Sequence, residues 1–292
     1  MNIFSGLEKI VEQGYPLAKH TWFGLGGDAD YFLIPDTLEQ LQTIVKRCEE
    51  NGLAMYVLGY GSNLLIGDEG VRGAVIKLAG DEFLKTSFSE SGLVAGAGAD
   101  LGKLVLDSVR KGLSGIEAVA GVPGSVGGAV RMNAGGTFGD IGAAVESVSL
   151  MDKDGSVFEK SKPELVFDYR CSNITAKFIL STKFELVQGD PEQLLRSVKE
   201  VWMYKKNAQP LNTRSAGCIF KNPRGMSAGA VIDRAGLKGL QVGGAEISQK
   251  HGNFIIANKG CRSSDVKQLI DTIRQRVAEN FDIKLELEIE IW

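Results

Sequence analysis

Residues 121–136 read GVPGSVGGAVRMNAGG, with glycine at 121, 124, 127, 128, 135 and 136 and the one charge, Arg131, late in the stretch. Where side chains are this small, backbone N–H groups approach a ligand closely and cradle an anion. A pyrophosphate suits such a donor set. The competing reading is a tight structural loop between two sheets, because glycine also marks ordinary turns. The rest of the chain tips the balance toward a nucleotide site.

At 292 residues the chain is long enough for two or three domains with substantial cores. A formal net charge of −3, with no cluster of Lys and Arg, excludes a general nucleic-acid binder. No apolar run approaches the ~20 residues that span a bilayer, and MNIFSGLEKIVEQG carries acids and lacks a hydrophobic signal core, so no membrane association and a cytoplasmic location are expected. Cys48, Cys171, Cys218 and Cys261 show no paired spacing, which fits a reducing compartment. With His20 and His251 the only histidines and no CxxC, no metal site is expected.

Working outward, a strand is expected at 31–34. Asp36 and Thr37 offer N-caps to a helix over 37–50, whose stripe is Leu38, Leu41, Ile44, Val45 and Cys48. A short strand at 56–58 runs into Gly59, Gly61, Ser62 and Asn63, a turn rich in donors, and 71–78 gives another strand. Beyond the central loop come a turn at 152–155, FDYRCS at 167–172 and a strand at 178–187. Asp190 and Pro191 open a helix whose Leu194, Leu195, Val198, Val201 and Trp202 are expected to face a core. The polar run at 205–212 marks a boundary, followed by SAGCIFKNP at 215–223, a helix from about 264 to 281 and a closing strand, IKLELEIEI.

LVAGAGADLG at 93–102 imitates the Rossmann dinucleotide fingerprint: a strand leads to Gly96 and Gly98, a helix opens at Asp100, and Glu117 follows about twenty residues on. The third glycine falls at 102, one place late, and Lys103 is followed by Leu104 rather than the Ser or Thr of a phosphate-binding P-loop. A strand-to-helix turn is the better reading.

In order along residues 21–291, TWFGLGGDADYFLIP, LGYGSNLLIGDEGVRG, the loop at 121–136, FDYRCS, QPLNTRSAGCIFKNP, AGLKG with GGAEIS and KHGNFIIAN, and LELEI resemble the UDP-N-acetylenolpyruvoylglucosamine reductase family of bacterial peptidoglycan synthesis. The resemblance implies an α+β fold: two FAD-binding subdomains of the vanillyl-alcohol-oxidase type, at 1–82 and 83–190, and a C-terminal α/β substrate-binding domain at 191–292. It implies FAD as cofactor, NADPH as hydride donor and UDP-N-acetylglucosamine enolpyruvate as substrate. The FAD pyrophosphate would lie against Gly59, Tyr60, Gly61, Ser62, Asn63 and Leu64, and against Gly121, Pro123, Gly124, Ser125, Gly127, Gly128 and Ala129.

Arg170 matches the family's catalytic arginine in its F-x-Y-R-x-S context, and a guanidinium stays charged while holding a carboxylate by two parallel hydrogen bonds. Taken alone, a lone Arg is more often a surface or core-edge salt bridge. Cys218 departs from the family pattern, which usually has Ser there as proton donor. A thiol, with an unperturbed pKa of about 8.5, is a far stronger acid than an alcohol and suits the same task; the bland reading is a small buried hydrophobe. Glu288 matches the third catalytic residue, although Glu286, Glu288 and Glu290 share one face of the closing strand and periodicity does not choose among them. Asn222, Lys221, Gln209, Gln249, Lys250 and His251 are candidates for the diphosphate and sugar. The 48 positions between Arg170 and Cys218 resemble the shorter branch of the family, which lacks an inserted tyrosine-bearing loop. A superfamily oxidase and a non-catalytic flavin- or nucleotide-binding protein are the alternatives; an oxidase has no need of Arg170, Cys218 and Glu288 together.

Overall fold

The computed structural model describes residues 3–292, and these divide into two compact units. One takes the chain up to Gln13 with Asp30–Tyr60 and Arg72–Tyr204; the other takes Gly14–Ala29, Gly61–Val71 and Lys205–Trp292.

The helix expected at 37–50 forms as Leu38–Glu50 because Thr37 caps it, its Oγ1 accepting from Gln40 N–H at 3.2 Å, while Leu41, Ile44, Val45 and Cys48 are all buried. A four-stranded sheet has the order Val11–Pro16, Asp28–Leu33, Val71–Lys77, Met55–Leu58, and its last two members pair in parallel. The main sheet of the first unit is antiparallel and runs Val157–Ser161, Val145–Met151, Phe178–Glu185, Gly92–Gly96, Thr86–Phe88. Its apolar face and the helices Leu38–Glu50 and Leu101–Arg110 share one continuous core.

Helix Pro191–Ala208 presents a narrower stripe than expected. Val198 and Val201 are buried and Leu194 packs against the same core, whereas Leu195 is 39% exposed and Trp202 43% exposed. Each of these two lies one residue, about 100° of helical rotation, past a member of the stripe, so apolar character alone did not locate them.

The second unit has its own core around the helices Ala228–Arg234 and Ser263–Phe281 and the sheet Gln241–Val242, Ala245–Ile247, Ile255–Ala257. The closing segment keeps the alternation read from its sequence but not a nine-residue strand. Only Glu290–Ile291 is a strand, parallel to Leu64–Leu65, and Leu287 makes an isolated bridge to Phe220. Its backbone groups bond to two separate short partners, Glu288 N–H to the Ile219 carbonyl and Glu290 N–H to the Asn63 carbonyl, so no single partner is long enough to make one strand of it.

Candidate active site

The central loop ends in the short helix Val126–Arg131, whose N-cap Ser125 accepts from Gly128 N–H at 3.4 Å. Val126 and Gly127 donate to the carbonyls of Ala99 and Ala97 at 3.0 and 2.8 Å. A Cβ on Gly127 would stand 2.8 Å from that of Ala97, so glycine is what lets the two turns close on each other. Ala129 is buried and its amide is spent within the helix. The amides of Gly121, Gly124 and Ser125 are left without a protein acceptor among the described residues. Gly59 meets the same place, since a Cβ there would lie 2.6 Å from Ser125 Oγ. Beside it, burial, then the charge of Asp100 and a hydrogen bond to its carboxylate, push the Tyr60 phenol up from its ordinary value. Asp100 in turn caps Leu101–Arg110 through Lys103 N–H at 2.7 Å.

The near-Rossmann stretch therefore serves as scaffold, as its spacing suggested. Cβ atoms on Gly96 and Gly98 would collide with the carbonyls of Phe83 and Leu78. Its Ala97 and Ala99 carbonyls anchor the loop that does offer free amides. Close-packed glycines, unpaired N–H donors and a serine hydroxyl fit a dinucleotide diphosphate in shape and in chemistry.

In the second unit, Gly61 has φ +63°, and a Cβ there would collide with the carbonyl of His20. Asn63 Nδ2 donates to the Glu288 carbonyl at 3.0 Å and its own carbonyl accepts from Glu290 N–H at 3.0 Å. Leu64 is buried and pairs with Glu290, and Gly67 N–H reaches the Trp292 carbonyl at 2.9 Å. The segment 61–67 is thus laced to the chain that holds Glu288.

Arg170 sits at the turn of a minimal hairpin, Phe167–Asp168 against Cys171–Ser172, in the left-handed conformation at φ +57°. Its guanidinium lies 5.2 Å from the centroid of the Tyr169 ring. The hairpin is tied to the central loop: Asn133 Nδ2 donates to the Asp168 carbonyl at 3.0 Å and Ser172 Oγ donates to the Arg131 carbonyl at 2.8 Å. The Arg131 guanidinium donates to the carbonyls of Ile174, Ala176 and Lys177 at 2.6, 2.7 and 3.2 Å. Sequence reasoning passed over Asn133 and Arg131 because nothing in their neighbours marks them as ties.

Cys218 and Glu288 lie on adjoining extended segments. Cys218 bridges Phe254, Ile219 donates to Asn253 at 2.9 Å, and Glu288 N–H donates to the Ile219 carbonyl at 2.8 Å. Buried Asn253, also unforeseen, clamps both backbone groups of Phe220, accepting from its N–H at 2.9 Å and donating to its carbonyl at 2.7 Å. Of the three acids that periodicity could not separate, Glu288 is half-buried and Glu286 and Glu290 are exposed. Cys218 is likewise half-buried, whereas burial pushes the Cys48 thiol up to about 12 and the Cys261 thiol up to about 11.

Gln249, Lys250 and His251 form one turn, in which Ser248 Oγ accepts from the amides of Lys250 and His251 at 3.1 and 3.3 Å. Burial, then the charge of Lys238, holds His251 below the ordinary imidazole value. Its Nδ1 accepts from Asn253 N–H at 3.2 Å, which assigns the proton of the neutral ring to Nε2. Asn222 Oδ1 accepts from Ala228 N–H at 2.9 Å, so it helps cap the helix whose Gly229 packs on His251. Lys250 Nζ donates to the Lys206 carbonyl at 2.6 Å, beside Gln209 at the end of its helix. Lys221 donates its amide to Glu286 at 2.8 Å, next to the Cys218 segment.

The amide-lined cradle on an α+β frame lies within residues 29–161, which match the model of an FAD binding domain, and this match makes the protein a flavoprotein. The grass-pollen protein Phl p 4.0202, described as a glucose dehydrogenase, shares this fold at a TM-score of 0.51 and 15% identity over 65% of this chain and 45% of its own. Residues 209–292 match the model of the UDP-N-acetylenolpyruvoylglucosamine reductase C-terminal domain. A UDP-N-acetylenolpyruvoylglucosamine reductase of Lachnoclostridium phytofermentans is 40% identical over 94% of this chain and 91% of its own length, and one of Alkaliphilus oremlandii is 36% identical over 100% and 98%. The crystal structure of the Thermus caldophilus UDP-N-acetylenolpyruvylglucosamine reductase superposes at a TM-score of 0.82, with 41% identity over 97% of this chain and 98% of that one. The chain belongs to the UDP-N-acetylenolpyruvoylglucosamine reductase family and is an FAD-dependent oxidoreductase. The family read from its motifs, and the α+β flavoprotein fold implied by them, are borne out. Among the described residues no helix is long and apolar enough to cross a membrane.

Proposed function

We propose that the protein reduces the enolpyruvyl ether of UDP-N-acetylglucosamine enolpyruvate to the lactyl ether of UDP-N-acetylmuramate, in the cytoplasm and as a step of peptidoglycan synthesis, with NADPH as reductant. The observation that carries this reading is the pairing of the Cys218 and Glu288 segments, which sets a thiol and a half-buried carboxylate on neighbouring extended chains in a member of this family. The division expected from the sequence is retained as part of the proposal: 1–82 and 83–190 serve FAD and 191–292 serves the substrate.

FAD, when bound, supplies the hydride chemistry between NADPH and the terminal carbon of the enolpyruvyl double bond. Gly59, Tyr60, Gly61, Ser62, Asn63 and Leu64, with Gly121, Pro123, Gly124, Ser125, Gly127, Gly128 and Ala129, would hold it. Gly121, Gly124 and Ser125 do so through amides and the glycines at 59 and 127 through the room they leave. As the double bond is reduced, charge grows on the carbon bearing the carboxylate, and Arg170 holds that carboxylate and neutralises the charge. The Cys218 Sγ–H delivers a proton to the same carbon, completing the C–H bond that the reduced ether requires. Glu288 orients the donor, and the thiolate left behind regains its proton from solvent. Asn222, Lys221, Gln209, Gln249, Lys250 and His251 take the diphosphate and sugar, with neutral His251 donating from Nε2.

The test is a visible spectrum for bound flavin, followed by NADPH oxidation with and without the enolpyruvyl substrate in wild type, Cys218→Ser and Cys218→Ala. Substrate-dependent turnover that persists in the Ser variant and collapses in the Ala variant is the expected result. A yellow protein whose NADPH oxidation ignores the substrate refutes the substrate assignment, and a colourless one that binds no added FAD refutes the cofactor site.

A further inference from the structure

The hairpin that carries Arg170 has two residues per strand, too few to set its own orientation. What fixes it comes from the glycine-rich loop. Asn133 is only 3% exposed and sits at φ +43°, a left-handed conformation in which non-glycine residues other than Asn and Asp are rare. Both ends of its amide are used: Nδ2 donates to the Asp168 carbonyl at 3.0 Å, two residues before Arg170, and Oδ1 accepts from Gly142 N–H at 3.0 Å. Two residues after Arg170, Ser172 Oγ donates to the Arg131 carbonyl at 2.8 Å. Residues 131 and 133 thus hold the hairpin at both feet, symmetrically about the arginine. Asn173 adds a third tie within the excursion, its Oδ1 accepting from Val166 N–H at 3.0 Å.

We propose that Asn133 is the positioning residue for Arg170, and that through it the loop assigned to the cofactor diphosphate and the arginine assigned to the substrate carboxylate move as one body. The proposal rests on the reading of Arg170 as the carboxylate clamp. Asn133 touches neither substrate nor cofactor in this scheme and acts through backbone placement alone. A carboxylate held bidentately tolerates little error in the guanidinium plane, and a misplacement near 1 Å costs about a hundredfold in rate.

Asn133→Gly removes both amide bonds while tolerating the positive φ, and Ser172→Ala removes the other foot without touching Asn133. Stopped-flow absorbance on the flavin-loaded protein separates two events: bleaching by NADPH, in which the proposed reading gives Arg170 no part, and recovery of colour on adding the enolpyruvyl substrate. Expected are unchanged flavin affinity and bleaching, with recovery slowed between about tenfold and a hundredfold in Asn133→Gly. In an Arg170→Ala background, Asn133→Gly should slow recovery no further, because its only route to the reaction has been removed. Amide hydrogen exchange over 166–173 should rise in Asn133→Gly and in Ser172→Ala. Recovery equal to wild type, equal slowing of both events, or full additivity with Arg170→Ala overturns the positioning role. If wild type recovers no colour with this substrate, the functional reading falls instead, and unchanged exchange over 166–173 then overturns the coupling of Asn133 to the hairpin.

Discussion

Gly59→Ala tests whether Gly59 and the glycine-rich loop at 121–136 are in contact through Ser125. An added Cβ would lie 2.6 Å from Ser125 Oγ but 3.7 Å from Ser125 Cβ, so the conflict is with the hydroxyl alone. Ser125 can swing its hydroxyl aside, but it then loses the cap on Gly128 N–H. The cost of Gly59→Ala lies between the ~1 kcal/mol of a lost cap and the ~3 kcal/mol of an overpacked site. Ser125→Ala alone costs about 1 kcal/mol for the same cap. In the double variant the hydroxyl is gone and the remaining 3.7 Å contact is ordinary, so the sum fails: the pair should cost about 1 kcal/mol, a coupling of roughly 1–3 kcal/mol. The assay is urea unfolding of flavin-stripped protein, which keeps ligand linkage out of the comparison, with flavin affinity measured in parallel. Affinity should fall in Gly59→Ala and return in part in the double variant. Single costs that add within about 0.5 kcal/mol would refute the contact.

Asn253→Ala should destabilise the second unit by about 3–4 kcal/mol in urea unfolding, since it strips both backbone groups of fully buried Phe220 of their partners; a change below about 1 kcal/mol contradicts the clamp. Under a thiol reagent at pH 8, Cys171 should react first, being exposed, while Cys48 and Cys261, raised to about 12 and about 11 by burial, should react only after unfolding. Mass mapping of the labelled peptides checks the order. His251 is held below its ordinary value when folded, so the unfolded chain binds its proton first. Stability should therefore be level above the unfolded imidazole value of about 6.5 and decline as pH falls from there toward the depressed folded one. His251→Gln should flatten that part of the unfolding profile, and an unchanged profile argues against the shift.

The helices were legible because burial and period agree. Leu41, Ile44, Val45 and Cys48 form one stripe in the letters and the same stripe in the core. Where apolar residues sit beside a stripe rather than in it, as Leu195 and Trp202 do, the letters alone place them wrongly. The spacing of Gly96 and Gly98 looked like cofactor chemistry and is explained by two carbonyls packed against them. Such steric causes depend on segments that the local pattern does not join, here the helix holding Phe83 and the chain at Leu78, which is also why Asn133 and Asn253 went unnoticed. Each is a polar residue in a loop with a partner far off in the sequence, 35 positions away for Asn133 and 33 for Asn253. Glu288, singled out in the sequence by the family resemblance alone, differs from Glu286 and Glu290 in burial, a property that an alternating pattern leaves equal for all three.

Arg131 has one more effect. Its guanidinium meets only main-chain carbonyls, and among the described residues no carboxylate shares it. Carbonyl dipoles solvate a cation but do not cancel it, and an arginine stays protonated even where burial lowers its pKa, as it does here. A full positive charge is therefore lodged at the end of the helix that follows the unpaired amides, in a chain whose net charge is −3. Mobile ions shield a lodged charge far less than they shield a surface lysine. Where this loop takes the diphosphate as proposed, the half-buried charge adds an attraction that should persist at ionic strengths that would erase a basic surface patch.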